Sequence, residues 1–463
     1  MEANKENSFR KITQGYTFKI LLLGCLVLLF LIPLSMIRGL INERNRTAQF
    51  AESGIMEAWG GPLVKSGPIM AIPGVRTFTE IRTHADRTYE TISTRPFTLI
   101  VTPAALNIQT RFETEIRRRG IFSVPLFSGE LTLSGSFNPA AALISLRPDE
   151  EVFLDQAELI IALSSQTGIR RIDRAIWDGQ ELFFQPGNRG FNFAESSSFR
   201  AAIGVNPAGN GIFAALPDVA GGAEFDIGIA IQGGQFVRFL PVGQDTRVEI
   251  STDWPSPSFQ GSFLPSASSI TENGFDAVWE ISYLRRDIPL FWKTEPGIRM
   301  PDYSVLMFGV NFFRAIDTYA LNTRAINYAI LFIIVPFLTL FLFEIFSRKR
   351  IHPVPYMLSG IANVVFYLLL LSLSEHMLFH LAYIIAASSV TVMMTLYSRS
   401  LLPSWNKSWY MGVVVLVSYV LLFVILNAES YALLIGSIGA FMVTGLVMYL
   451  TRKLDWYGSQ DKV

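Results

Sequence analysis

The residues whose types and spacing suit chemistry are few, and their densest group is Glu375, His376 and His380. His376 and His380 stand four apart, so on one helix they share a face, which is the spacing used by two metal ligands on a helix. No third ligand accompanies them in the sequence, and no metal site is expected. Glu375 and His376 have two further readings. They can dock another part of the chain by hydrogen bonds, or titrate as a proton-sensitive pair, because an imidazole changes charge between about pH 5 and 8. The plainest reading is a polar turn between two apolar segments. Arg324, at the mouth of an earlier apolar run where it can face Asp317 or lipid headgroups, completes the candidate set of Glu375, His376 and Arg324.

Other motifs point away from catalysis. There is no Walker loop, no G-x-S-x-G elbow, no H-E-x-x-H and no C-x-x-C. Ser404-Trp405-Asn406-Lys407 fits the S-x-x-K pattern of penicillin-binding proteins, but that chemistry needs the serine on the wall side of the membrane, and the topology below puts it on the other. A polar interfacial loop is expected there. Four histidines and the lone Cys25 leave little for a metal centre or a thiol relay, and one cysteine forms no disulfide within the chain. Leu22-Leu23-Gly24-Cys25 imitates a lipid-attachment site, yet the apolar run continues through Leu34. Cys25 is therefore expected to be a small side chain within the membrane. Glu344 can pair with Arg348 at i+4 near the end of its run. Ser359 and Asn363, also four apart, are expected to bond to a neighbouring helix. No Asp, Lys or Arg lies deep in an apolar run, which argues against a pump or coupled transporter. No catalytic residue, cofactor or metal is expected, and the chain is read as not an enzyme.

The elements that position these residues follow from composition. The chain has 463 residues, 38 basic and 38 acidic, with 50% hydrophobic and only 16% charged, and a mean hydropathy of +0.36. The usual charged fraction is about 25%, so a disordered chain and an ordinary cytosolic enzyme are excluded. A neutral balance gives no field to attract nucleic acid. Six apolar runs, about 18–37, 328–346, 355–373, 377–397, 410–426 and 431–450, each approach the ~20 residues that a helix needs to cross a ~30 Å hydrocarbon core. Arg348, Lys349, Arg350, Arg399, Lys407, Arg452 and Lys453 fall in alternate loops, and the loops 374–376 and 427–430 carry no lysine or arginine. The basic side is cytoplasmic. Both termini, 1–17 and 452–463, are then cytoplasmic. Residues 18–37 form an uncleaved first span, 38–323 a periplasmic domain, and 324–451 a five-helix bundle. Trp405, Trp409 and Trp456 suit the inner interface.

The middle region alternates with period two. Ile108, Thr110, Phe112, Thr114 and Ile116 interleave with Asn107, Gln109, Arg111, Glu113 and Glu115, the pattern of a strand with one wet face. Leu131, Leu133 and Phe137 alternate likewise, as do Phe225, Ile227, Ile229 and Ile231, and Val248 with Ile250. A mainly-β domain follows, either one large sandwich or two packed units. Its size allows a hydrophobic core without disulfides. Residues 46–59 are the exception, with a helical pattern. Pro255 and Pro257 are expected to stiffen a turn that packs Trp254 and Phe259 on the core.

Particular segments carry a family likeness. Ile32-Pro33-Leu34, Arg38-Gly39-Leu40-Ile41 with Glu43-Arg44, Trp59-Gly60-Gly61 and Ser66-Gly67-Pro68 open it. Arg119-Gly120-Ile121-Phe122, Leu240-Pro241-Val242-Gly243, Trp254 through Phe259 and Phe263-Leu264-Pro265 continue it. Phe308-Gly309-Val310, Arg324 with Tyr328, His352-Pro353 and the string YLLLLSLSEH from Tyr367 to His376 are the densest matches. In this order and spacing the chain resembles the CreD family of inner-membrane proteins. It departs at Gly74, where the family usually has Tyr, and in 163–168, which lacks an aspartate before the glycine. The resemblance implies a role in cell-envelope integrity in Gram-negative bacteria, induced in some relatives by a two-component system responding to wall stress, and it brings no reaction with it.

Three functions compete. The first is a non-enzymatic envelope-integrity protein whose periplasmic β domain contacts lipid, wall machinery or another membrane protein. The alternative is a transporter or lipid-translocation component built on the five-helix bundle, with Ser359, Asn363, Ser372 and Ser374 as its polar material. A wall hydrolase is weakest, since His84 is the only histidine of the middle region. The small residues Ala432, Gly436, Ala440 and Thr444 form a close-packing stripe, either within the bundle or between copies in a homo-oligomer.

Overall fold

The computed structural model describes residues 16–84, 87–187, 210–295, 303–312, 318–347, 350–401, 405–428 and 431–452. Asp317, Arg348, Lys349, Ser404, Lys453 and Trp456 lie outside the described residues, as do the side chains of His84, Trp405, Lys407 and Ala432.

An apolar segment in hydrocarbon must pair its own backbone groups, and a helix does so. The helices are α1 (Tyr16–Ala58), the short α2 (Ala140–Ile144), α3 (Thr318–Asn327), α4 (Ala329–Ser347), α5 (Pro353–Ser374), α6 (Phe379–Leu401), α7 (Trp405–Asn427) and α8 (Ala432–Thr451). Among the described residues six of these are long and apolar enough to cross a membrane, one before the β-rich region and five after it. The chain divides into a helical unit, up to Ala48 and from Ile316, and a β unit, Gln49–Ala315. The edges inferred from apolar runs, 37/38 and 323/324, differ from these. A helix need not stop where its apolar run stops, and α1 continues through residues 46–58 while α3 precedes the next run.

In the helical unit, Phe30, Leu34, Ile37 and Ile41 of α1 are buried with residues of α3 to α7. Gly360 of α5 permits this approach, because a Cβ there would lie 2.2 Å from the Phe30 ring. α8 meets α7 through Gly439, whose Cβ would touch Leu421, whereas Gly436 faces open space. The glycine of α8 that packs on α7 is therefore Gly439, next in sequence to Ala440 of the expected stripe.

The β unit has strands β1 (Leu63–His84), β2 (Arg87–Val101), β3 (Ala105–Arg119), β4 (Phe122–Phe137), β5 (Glu150–Val152), β6 (Glu158–Leu163), β7 (Ile169–Trp177), β8 (Gln180–Glu181), β9 (Gln185–Pro186), β10 (Gly211–Ala215), β11 (Ala223–Gly234), β12 (Phe236–Phe239), β13 (Asp245–Thr252), β14 (Pro257–Gly261), β15 (Ala267–Thr271), β16 (Gly274–Ser282), β17 (Phe291–Thr294) and β18 (Phe308–Phe312). One sheet runs β14-β18-β12-β1-β6-β10-β9, with β2 and β5 also paired to β1 and β17 paired to β2. The other runs β15-β16-β13-β3-β4-β11-β7-β8. Two pairings are parallel, β1 with β12 and β3 with β13. Aromatic contacts join the sheets: Phe112 of β3 lies 6.4 Å from Phe312 of β18, and Trp279 of β16 lies 5.6 Å from Phe308. The unit is one sandwich. Trp254 and Phe259 pack against its core.

The inward faces follow the period-two pattern at Ile108, Phe112, Leu131, Leu133, Ile227, Ile229, Val248 and Ile250, all buried. Ile116 departs from it and is 59% exposed. Alternation sets which way a side chain points, not whether anything covers it, and residues 115–119 are bare on both faces. Two buried charges of this unit, Arg286 and Glu150, are held by the backbone and by neighbouring charges. Arg286 donates to the carbonyls of Ile288, Val242 and Gly243 at 2.6, 2.8 and 2.6 Å, and burial lowers its pKa to about 10. Glu150 of β5 accepts from Arg76 of β1 and Lys293 of β17 and from the Arg147 N–H at 2.9 Å. Burial alone would raise the Glu150 carboxyl. The hydrogen bonds from Lys293, Arg147 and Arg76 outweigh it and hold the pKa at about 2.

Candidate functional site

Glu375 caps the C-terminus of α5, where the helix dipole disfavours negative charge. Two groups offset this. The Tyr319 hydroxyl of α3 donates to the carboxylate at 3.2 Å, and the Arg44 guanidinium of α1 lies 3.7 Å away. Glu375 is 10% exposed and Arg44 49%, so the carboxylate is largely enclosed and its cation is wet. Beside it, Asn322 of α3 donates to the Ser374 hydroxyl at 2.9 Å and to the Thr318 carbonyl at 2.9 Å. Asn322 and Ser374 are both buried. The turn after α5 is thus tied to α1 and α3 by a polar cluster.

The three candidate residues do not all join it. Glu375 lies at its centre. Arg324 stands on α3, half-buried, five residues beyond Tyr319. His376 is exposed in the turn, and its N–H donates to the Leu373 carbonyl at 3.0 Å. The i, i+4 relation of His376 and His380 does not hold, because α6 begins only at Phe379. His380 instead packs its ring on Phe423 at 5.6 Å, with Nδ1 buried and without a hydrogen-bond partner. Among the described residues no three His, Cys, Asp or Glu side chains gather as a metal site would require. Arg44, Tyr319 and Asn322 are the members that sequence reasoning missed. Arg44 stands in the sequence only as part of the Glu43-Arg44 segment of the family likeness, and nothing local marks Tyr319 or Asn322.

A second polar group lies at the opposite end of α5. Glu344 of α4 is buried. It pairs with Lys19 of α1 and accepts from the Tyr356 hydroxyl of α5 at 3.0 Å. Lys19 also donates to the Ile351 carbonyl at 2.8 Å. The expected partner Arg348 lies outside the described residues. Among the described residues Glu344 joins three spans, and sequence spacing gave no sign of Lys19, more than three hundred residues away. Of the two polar residues on α5, Asn363 accepts from Tyr419 of α7 at 3.1 Å, whereas Ser359 donates to the Pro355 carbonyl of its own helix at 2.9 Å.

A groove of about 480 Å³ lies between α4, α7 and α8, lined by apolar residues such as Val335, Leu342, Val417 and Val443. Of its hydroxyl-bearing residues, Thr339 and Ser418 donate to the carbonyls of Val335 and Val414 in their own helices. Apart from Tyr410, the wall therefore presents hydrocarbon.

Similarity to known proteins agrees with this architecture. The family described as "Inner membrane protein CreD" matches residues 15–457. A protein of that description from Escherichia coli is 29% identical over 434 residues, covering 93% of this chain and 91% of the relative. Among solved structures, an M1 zinc metallopeptidase from Deinococcus radiodurans is 11% identical over 45% of this chain and 42% of its own, with a TM-score of 0.21. At that score the likeness carries no argument. The family's description names a membrane location and no reaction. With the match running through all six candidate spans and the β-rich region between them, the chain belongs to the CreD family of inner membrane proteins.

Proposed function

We propose that this multi-pass inner membrane protein supports the integrity of the cell envelope, with its β unit in the periplasm and both termini in the cytoplasm. The observation that carries this reading is a large β sandwich held in one chain with membrane spans. A module of this size suits recognition of protein or lipid at the membrane surface better than anchoring alone. The alternate basic loops support the orientation. In this reading Glu375, with Arg44 and Tyr319, fixes the turn after α5, and His376 offers an exposed imidazole beside it. The partners are lipid and envelope or wall proteins.

The test is release of a periplasmic reporter from a deletion strain, with and without a β-lactam. The strain is complemented with wild type or with Glu375→Ala and His376→Ala together. Leakage on deletion, reversed by wild type, is the expected result. A double variant that inserts and fails to rescue assigns the turn to the working surface, and one that rescues fully makes it structural. No leakage in any condition overturns the envelope role.

A further inference from the structure

Inside the helical unit runs a file of polar groups that the envelope reading does not use. On α5, Tyr356, Ser359, Asn363 and Tyr367 recur at intervals of three and four residues and all are buried, so they form one internal stripe. At one end Tyr356 meets the Glu344 carboxylate, which Lys19 shares. In the middle Asn363 accepts from the Tyr419 hydroxyl. Tyr383 of α6 donates to the Tyr419 carbonyl at 2.6 Å. The rings of Tyr367, Tyr383 and Tyr419 surround Phe366, with centroids 4.9, 5.6 and 4.4 Å from it. One turn before Tyr383 stands His380. α5 rises about 1.5 Å per residue, so from Tyr356 to Ser374 it covers about 27 Å, close to the ~30 Å hydrocarbon thickness. The stripe from Tyr356 to Tyr367 covers about 17 Å of this, and His380, at the start of α6, stands toward the far end.

Two of its atoms are wholly buried with no hydrogen-bond partner, the Tyr367 hydroxyl and His380 Nδ1. Such orphans are uncommon and call for a reason. An ionisable residue within membrane spans marks a candidate pathway, and here one proton acceptor stands at each end: the Glu344 carboxylate and the His380 imidazole. The charged groups at the two ends are Lys19 beside Glu344, and Arg44 with Glu375 at the far end of α5. Between them the file offers hydroxyls and an amide.

We propose that the helical unit passes protons along this file, between its His380 end and its Glu344 end. The His380 imidazole takes a proton from water on one side and passes it on, the Glu344 carboxylate receives a proton from the file and then releases it to water on the other side, and both groups return to their starting states. Water joins the hydroxyls between them, and no covalent bond to carbon changes. The charge moved is balanced by counter-ions in the bulk phases. This activity goes beyond the envelope reading, and its test is independent of it.

The test uses the purified full-length protein in vesicles of phosphatidylethanolamine and phosphatidylglycerol, loaded with a pH-sensitive dye. A potassium gradient with valinomycin sets the potential. Wild type is expected to change the internal pH faster than protein-free vesicles. Tyr419→Phe, which removes one hydroxyl and keeps the ring, is expected to slow the flux about tenfold, equivalent to about 1.4 kcal/mol in the barrier. His380→Phe and Glu344→Gln are expected to slow it as well, with thermal melting confirming that each variant is folded. Flux equal to that of empty vesicles at both signs of the potential overturns the proposal. So does wild-type flux in folded Tyr419→Phe and His380→Phe.

Discussion

Replacing Glu150 by Gln removes the anion that ties β1 and β17 to β5 and keeps the shape. In the folded chain the Glu150 carboxyl titrates at about 2, against about 4.3 in an unfolded one. At about 1.36 kcal/mol per pKa unit, the difference gives an upper bound of about 3 kcal/mol at neutral pH. Arg76 and Lys293 are 28% and 24% exposed, so water relieves part of the loss when they are left without the carboxylate, and about 2–3 kcal/mol is expected. The folded pKa is depressed, so the stabilisation is fully present above about pH 5 and disappears as pH falls toward 2. The assay is unfolding of the full-length protein in detergent micelles, followed by the circular dichroism of the β unit. Near neutral pH, Glu150→Gln is expected to lower the melting temperature by about 4–12 °C, at roughly 2–4 °C per kcal/mol. Toward pH 2 the two proteins should converge. Equal stability at pH 7 would refute the reasoning, as would a gap that persists undiminished at pH 2.

Lys65 on β1 is buried, its amine has no hydrogen-bond partner, and burial lowers its pKa well below the ordinary value. Lys65→Met should therefore stabilise the β unit by about 1–3 kcal/mol near pH 7. Because the unfolded chain keeps a proton that the folded one releases, wild-type stability should rise toward pH 10 relative to the Met variant, and a destabilised variant would contradict this. Gly360→Leu should separate α1 from α5, since even a Cβ at that position would meet the Phe30 ring at 2.2 Å; unchanged melting of the helical unit would argue against that contact. With Cys25 replaced by Ala, a cysteine at Ile144, 84% exposed, should react with a membrane-impermeant maleimide in cells with a permeabilised outer membrane. One at Ser400 should react only after lysis, and the reverse pattern would invert the proposed orientation.

The helices and the strand faces were legible because each is a local repeat. A run of about twenty apolar residues at 328–346 or 355–373 specifies a span without knowledge of its neighbours, and Ile227, Ile229 and Ile231 declare an inward face by alternation alone. Long-range partners were not legible. Nothing in the local spacing links Lys19 to Glu344, more than three hundred residues away. Two histidines four residues apart suggested a shared helix face, but the turn keeps His376 out of α6. The choice between one sandwich and two units was also invisible, because nothing in the period of β3 names β13 as its neighbour.

The parallel pairing of β1 with β12 has a consequence for how the protein is made. β1 begins at Leu63, but its partner spans Phe236–Phe239, and β12 is itself covered by β18, which ends at Phe312. A ribosome adding about 5–20 residues per second needs roughly 12–50 s to travel from one to the other. For most of that interval Leu63 and Val64, buried in the finished sandwich, lack the strand that will flank them. The growing chain therefore passes through a long adhesive stage, in which a holding chaperone or fast delivery of the downstream strands decides the yield.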